Sequence, residues 1–110
     1  RMYLSLDTSL EIVGEAANGH EAIQLSELLK PDVILMDIMM PEMNGIEATA
    51  NIRSKGANIT IIALSHSQDP LLINAAIQAG ANIYLSKDVQ TEQLIRAIKT
   101  GSVDPPDILR

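Results

Sequence analysis

Short runs of apolar residues alternate along the chain with longer stretches in which apolar residues return every three or four positions. Residues 33–36 (VILM) and 59–64 (ITIIAL) are nearly continuous and rich in β-branched side chains, the pattern of strands covered on both faces in a parallel sheet. Residues 83–85 (IYL) form a shorter run. Residues 11–16 (EIVGEA) carry Glu11, Glu15 and a glycine between them, which suits a strand nearer an edge. Between these runs the spacing predicts helices. Ala22, Leu25, Leu28 and Leu29 share a face of 20–30, and Leu72, Ile73, Ala76 and Ile77 share one of 70–79. Ile46, Thr49, Ala50 and Arg53 form a weaker face over 45–55, and Leu94, Ile95 and Ile98 mark a last helix over 91–100. The opening MYLSL fits the last turns of a helix. Asn18-Gly19, Lys30-Pro31, Gly56, Gly80 and Gly101 fall at the boundaries, where helices start or stop.

Strand and helix in alternation, joined by short loops, imply right-handed crossovers and a parallel sheet with helices on both faces. In such sheets ligands bind outside the carboxyl ends of the strands. That rule gives a meaning to Asp37, which closes the run DVILMD, and to Ser65 and Lys87, which follow 59–64 and 83–85. Three separate strands would deliver a carboxylate, a hydroxyl and an ammonium to one rim. Such a set handles phosphoryl groups: the carboxylate attacks phosphorus, the ammonium neutralises charge, and the hydroxyl donates to a phosphoryl oxygen. Taken alone, an acid at a strand end is more often a turn or cap residue, Ser65 a cap and Lys87 a solvated cation.

Composition narrows the function classes. The chain has 110 residues, enough for one core, and its net charge of −6 would be repelled by a nucleic-acid backbone. With two Tyr and no Phe or Trp it lacks base-stacking platforms. It holds no cysteine, which removes disulfide, thiolate-zinc and thiol chemistry, and no apolar run approaches a membrane span. A cytoplasmic location without membrane contact is the expectation. Met36, Met39, Met40 and Met43 raise a Cu(I) reading through their thioethers, but core packing accounts for them better. His20, beside Asn18-Gly19, reads as a solvated side chain.

Asp37 with MMPEMNG (39–45), Ser65 within IIALSHS (61–67), Lys87 at the end of AGANIYLSK (79–87) and the stretch VGEAANGHEAIQL (13–25) together resemble the receiver domains of bacterial two-component response regulators. Asp88 in place of proline after Lys87 is closest to the NarL/LuxR-type branch, whose members carry a helix-turn-helix domain. The resemblance covers about residues 1–101. It implies a flavodoxin-like (CheY-like) α/β three-layer sandwich with a parallel sheet of order 2-1-3-4-5. It also implies that Asp37 accepts a phosphoryl group from a sensor histidine kinase, that Ser65 and Lys87 hold the phosphoryl oxygens, and that Tyr84 changes rotamer as Ser65 moves. A Mg²⁺ ion would sit at Asp37 and the backbone carbonyl of Met39, while Pro41 and Gly45 shape the loop. The module would signal rather than act as an enzyme, assisting at most its own phosphorylation and dephosphorylation. Residues 102–110 would begin a linker to a DNA-binding output domain, and homodimerisation is open.

Two departures stand out. Receivers open with a strand ending in an acidic pair that helps bind Mg²⁺, and this chain begins after it. The first strand is therefore expected to be missing, the strand at 11–16 to lack a neighbour unless another copy supplies one, and the ion to be weakened or absent. His66 stands where receivers more often have a small residue, which is expected to change the lifetime of the phosphoryl group. Two other readings remain: a pseudo-receiver acting only through protein contacts, and a flavodoxin-like cofactor binder. The second is opposed by the absence of a Gly-rich or hydroxyl-rich phosphate cradle and of aromatic residues to sandwich a flavin.

Overall fold

The computed structural model describes residues 11–14, 17–39, 44–56, 58–88, 93–94, 96 and 107–109. In chain order the elements are β1 (Glu11–Gly14), α1 (Gly19–Leu29), β2 (Val33–Asp37), α2 (Gly45–Ser54), β3 (Thr60–Ser65), α3 (Pro70–Ala79), β4 (Ile83–Ser86) and β5 (Asp107–Leu109). Each of the four strands and the first three helices expected from the spacing is present, with ends moved by one or two residues. Of the expected last helix, residues 93, 94 and 96 are helical and Leu94 is fully buried. The opening MYLSL lies outside the described residues.

One five-stranded sheet has the order β1-β5-β2-β3-β4, and every pairing in it is parallel. The place between β1 and β2, expected to be empty, is filled by β5, from the stretch read as a linker. Ile108 pairs with Ile12 on one side and Val33 on the other. Helix-bearing crossovers put β2, β3 and β4 side by side, so their carboxyl ends share a rim.

Alternation of side chains along β2 and β3 builds the two faces. Ile34, Met36, Ile61 and Ala63 join Ala22, Ala48, Ile52 and Ala76 from the helices in one aliphatic cluster. Val33, Leu35, Ile62 and Leu64 point the other way and are just as buried, so both faces of the central strands are covered. The buried face of α2 runs through Gly45, Ala48, Thr49 and Ile52, one position away from the face expected through Ala50 and Arg53. In α1, Ser26 is buried, its hydroxyl donating to the Ile23 carbonyl at 2.7 Å, while Leu28 is exposed.

The helix ends have local causes. Asn18 and Asn44 accept from the amides of Glu21 and Glu47, and Asp69 from Leu71 ahead of Pro70 in the first turn of α3. Gly80 closes α3 with φ of 119°, and a Cβ there would come within 2.3 Å of Arg53 Cγ. Arg53 Nε donates to the Gly80 carbonyl at 2.8 Å and its terminal nitrogen to Asn82 Oδ1 at 2.5 Å, tying α2 to the turn before β4. Burial lowers the guanidinium pKa, yet arginine stays charged in proteins.

Candidate functional site

The carboxylate of Asp37, the last residue of β2, sits at the rim with roughly a third of its side chain exposed. Its Oδ1 accepts from the amide of Met39 at 3.0 Å, and its Oδ2 accepts from Lys87 Nζ at 2.5 Å. The lysine arrives from the turn after β4, fifty residues away in sequence. Its backbone amide donates to the Ser65 carbonyl at 2.9 Å, which fixes the start of the side chain to the end of β3. Ammonium and carboxylate are thus both anchored before they meet.

Ser65 is buried and lies one step past Leu64, the register partner of Asp37. Its hydroxyl accepts from the Ser67 amide at 3.1 Å and keeps a proton to donate. The Tyr84 hydroxyl donates to the Ser67 carbonyl at 2.7 Å, while its ring packs against the core cluster. Ser67 therefore joins Ser65 to Tyr84, a connection the residue types alone did not suggest. A hydroxyl two residues ahead of a loop amide is the one local signal that could have found it.

Gly45 is placed by close approach. A Cβ on it would stand 2.3 Å from the Asp37 carbonyl oxygen and 2.9 Å from the Ile38 Cα, both backbone atoms. Its amide donates to the Ile38 carbonyl at 2.9 Å, so the start of α2 is pressed against the end of β2. Pro41, with residues 40–43, lies outside the described residues. Met39 reaches the site through its amide, and its side chain is 71% exposed, so the packing explanation fits Met36, at 1%, but not Met39. Among the described residues no three His, Asp or Glu form a metal-binding group. His20 is exposed.

A carboxylate held between an ammonium and an amide on an open rim, with a hydroxyl one strand away, is equipped to attack phosphorus and to stabilise the oxygens that result. Residues 1–99 match the model of the response regulator receiver domain. The chain belongs to that family. Among similar curated proteins are the transcriptional regulatory protein YdfI of Bacillus subtilis, 39% identical over 114 residues, and the nitrate/nitrite response regulator protein NarL of Escherichia coli, 38% identical over 98 residues. All of this chain and 53% of the first are covered, and 89% of this chain and 45% of the second. The chain spans about half the length of these relatives.

The signal receiver domain of NarL from Mycobacterium tuberculosis superposes with a TM-score of 0.80 at 33% identity, covering 87% of this chain and 81% of the other. The response regulator domain of Thermotoga maritima CheB gives the same score at 30% identity, covering 88% and 80%. The parallel sheet with flanking helices is the CheY-like receiver fold, and the NarL/LuxR-type branch is the one the relatives represent. Receiver domains are signalling modules of two-component systems.

Proposed function

We propose that this receiver domain accepts a phosphoryl group on Asp37 from the phosphohistidine of a sensor kinase. A carboxylate oxygen of Asp37 forms the new P–O bond as the P–N bond breaks, and the leaving imidazole takes up a proton. Lys87 Nζ, now on Oδ2, transfers its contact to a phosphoryl oxygen, and the Ser65 hydroxyl donates to another. The observation that carries this reading is the 2.5 Å contact between Lys87 and Asp37 at the shared rim. An ammonium so placed offsets the charge the acyl phosphate adds.

Movement of Ser65 toward the phosphoryl group pulls on Ser67 and through it on the Tyr84 hydroxyl, so Ser65 and Tyr84 form the switch. The chain would then bias a surface built by α3, β4 and the residues that follow. Residues 1–101 act as the receiver unit, and 102–110 lead toward an output domain that binds DNA, as the transcriptional regulators among the relatives suggest by name. Homodimerisation of a cytoplasmic regulator fits the same picture, and Leu71 and Ile77 on α3 are exposed apolar residues that such a contact could use. No helix among the described residues is long and apolar enough to cross a membrane.

Receiver domains typically bind Mg²⁺. When bound, the ion neutralises phosphoryl charge. Asp37 and the Met39 carbonyl would contribute to holding it, and one carboxylate plus water fits a weakly held ion. The thin donor set among the described residues also favours a second reading, a pseudo-receiver that works through protein contacts alone.

One assay separates the two. The chain is incubated with Mg²⁺ and a small phosphodonor such as acetyl phosphate and weighed by intact mass. A single phosphoryl adduct on wild type that disappears in Asp37→Asn is expected. Absence of the adduct on wild type, or its persistence in the variant, would overturn the phosphoacceptor reading.

A further inference from the structure

A cleft of about 460 Å³ opens at the other end of the sheet, between the carboxyl ends of α1 and α2. Pro31 and Asp32 lead from it into β2, and Asn58 and Ile59 lead from it into β3. Asp37 stands at the far end of β2, about 16 Å along the strand. The cleft therefore takes no part in the chemistry above, yet its volume falls in the range of about 300–1,000 Å³ usual for small-molecule sites.

Floor and mouth differ in chemistry. Pro31 is buried and Ile52 and Ile59 are 2% and 9% exposed, so together they make an apolar floor. Glu27, Lys30, Lys55 and Asn58 stand exposed around it. Most of the charge at the mouth is already engaged: Lys55 is paired with Glu27, and Asp32 has a partner of its own. The Lys30 ammonium differs, for among the described residues it has no hydrogen-bond or ion-pair partner. Lys30 is also the one non-glycine with positive φ among the described residues, at 47°. Strain of this kind gathers where a side chain is used. Glycine would relieve it, but would remove the ammonium from the cleft.

We propose that this cleft binds a small monocarboxylate with a compact apolar body, the carboxylate on Lys30 and the body on Pro31, Ile52 and Ile59. The body leaves water for an apolar surface that is already formed, and the charge meets the uncommitted cation at its edge. A second negative charge is disfavoured. Both α1 and α2 end here, so the negative ends of two helix dipoles face the cleft, and Glu27 and Asp32 add two carboxylates. Dianions such as phosphate are thereby selected against. The inference is independent of the phosphoacceptor reading, since no residue of the rim enters it.

The test titrates the nitrogen-labelled chain with phenylacetate, its neutral counterpart phenylacetamide and inorganic phosphate, and follows backbone amide shifts by NMR. Phenylacetate is expected to give saturable shifts around Lys30, Ile52 and Ile59, with a dissociation constant of about 1 mM. At the cleft, phenylacetamide and phosphate should bind about fivefold more weakly or not at all. Lys30→Gln, which keeps the backbone position free of glycine, should weaken phenylacetate about fivefold and leave phenylacetamide unchanged, while Lys30→Arg binds both as wild type does. Amide or phosphate binding there as tightly as phenylacetate, shifts that do not saturate or that spread beyond the cleft, or full affinity for phenylacetate in Lys30→Gln would each overturn the proposal. The comparison of the three probes on wild type decides even if a variant fails to fold.

Discussion

At the scale of single residues, the site depends on a position without a side chain. Gly45 lies against the carbonyl of Asp37, and the atoms a Cβ would strike are backbone atoms at the junction of β2 and its loop, which cannot swing aside as a side chain can. Two effects compete in Gly45→Ala. Alanine is a better helix former by about 1 kcal/mol, while forcing extra volume into a tight contact costs about 1–3 kcal/mol. The gap of 2.3 Å decides for the clash. We expect a net loss of about 1–2 kcal/mol in urea unfolding, together with weaker phosphorylation, because the backbone that must yield is the one carrying the carboxylate. A midpoint equal to wild type would show that the two segments do not touch as described. Asp37, Ser65 and Lys87 were legible in the sequence because each stands at the end of an apolar run, and parallel topology brings such ends together. Ser67 was not, since its part in the site is a carbonyl and an amide, groups every residue possesses.

At the scale of elements, legibility followed burial. The central strands, buried on both faces, announce themselves as unbroken apolar runs, and β2 and β3 fall within one residue of their expected bounds. Helix faces read less well. Leu28 and Leu71 are 76% and 79% exposed although their residue types argue for the core, whereas Ser26 and Thr49 are buried because each hydroxyl donates to a carbonyl of its own helix. Polar residues that satisfy themselves locally escape a reading based on hydrophobicity. The end of α1 holds a different surprise. Lys30 adopts the left-handed conformation at φ of 47°, its amide donating to the Ser26 carbonyl, in a place where glycine is the usual occupant. A lysine there bears the steric cost of its Cβ, about 1–2 kcal/mol, while glycine would lose more freedom on folding, by about 0.5–1 kcal/mol. Lys30→Gly should therefore raise stability by about 0.5–1 kcal/mol, read as a higher urea midpoint with unchanged slope. A lower midpoint would mean that the αL cap is not strained.

At the scale of the molecule, the sheet is closed by a strand from the far end of the chain. A strand inside a parallel sheet pairs on both sides, and β1 and β2 are not each other's neighbours. The three residues of β5 bridge them, with Ile108 between Ile12 and Val33, and Leu109 opposite Gly14 and Ile34. Nothing in the composition of 102–110 announces this. The stretch holds two prolines and is read naturally as a linker, because a three-residue strand carries too little alternation to register. Its place follows from the demand of its neighbours rather than from its own pattern. The consequence is a coupling in both directions: the segment proposed to lead toward an output domain is held by the same strand, β2, that presents Asp37. A proline at Ile108 removes the amide from a ladder with partners on both sides and adds a ring that a central strand does not accommodate. Ile108→Pro should cost about 3 kcal/mol, lowering the urea midpoint and removing hydrogen-exchange protection from the amides of 12–14 and 33–35 together. If 107–109 were not part of the sheet, the substitution would leave the midpoint unchanged and those amides as protected as in wild type. Because Ile108 lies far in sequence from every residue of the site, weaker phosphorylation of Asp37 in this variant under native conditions would further show that the central slot supports the strand that delivers the carboxylate.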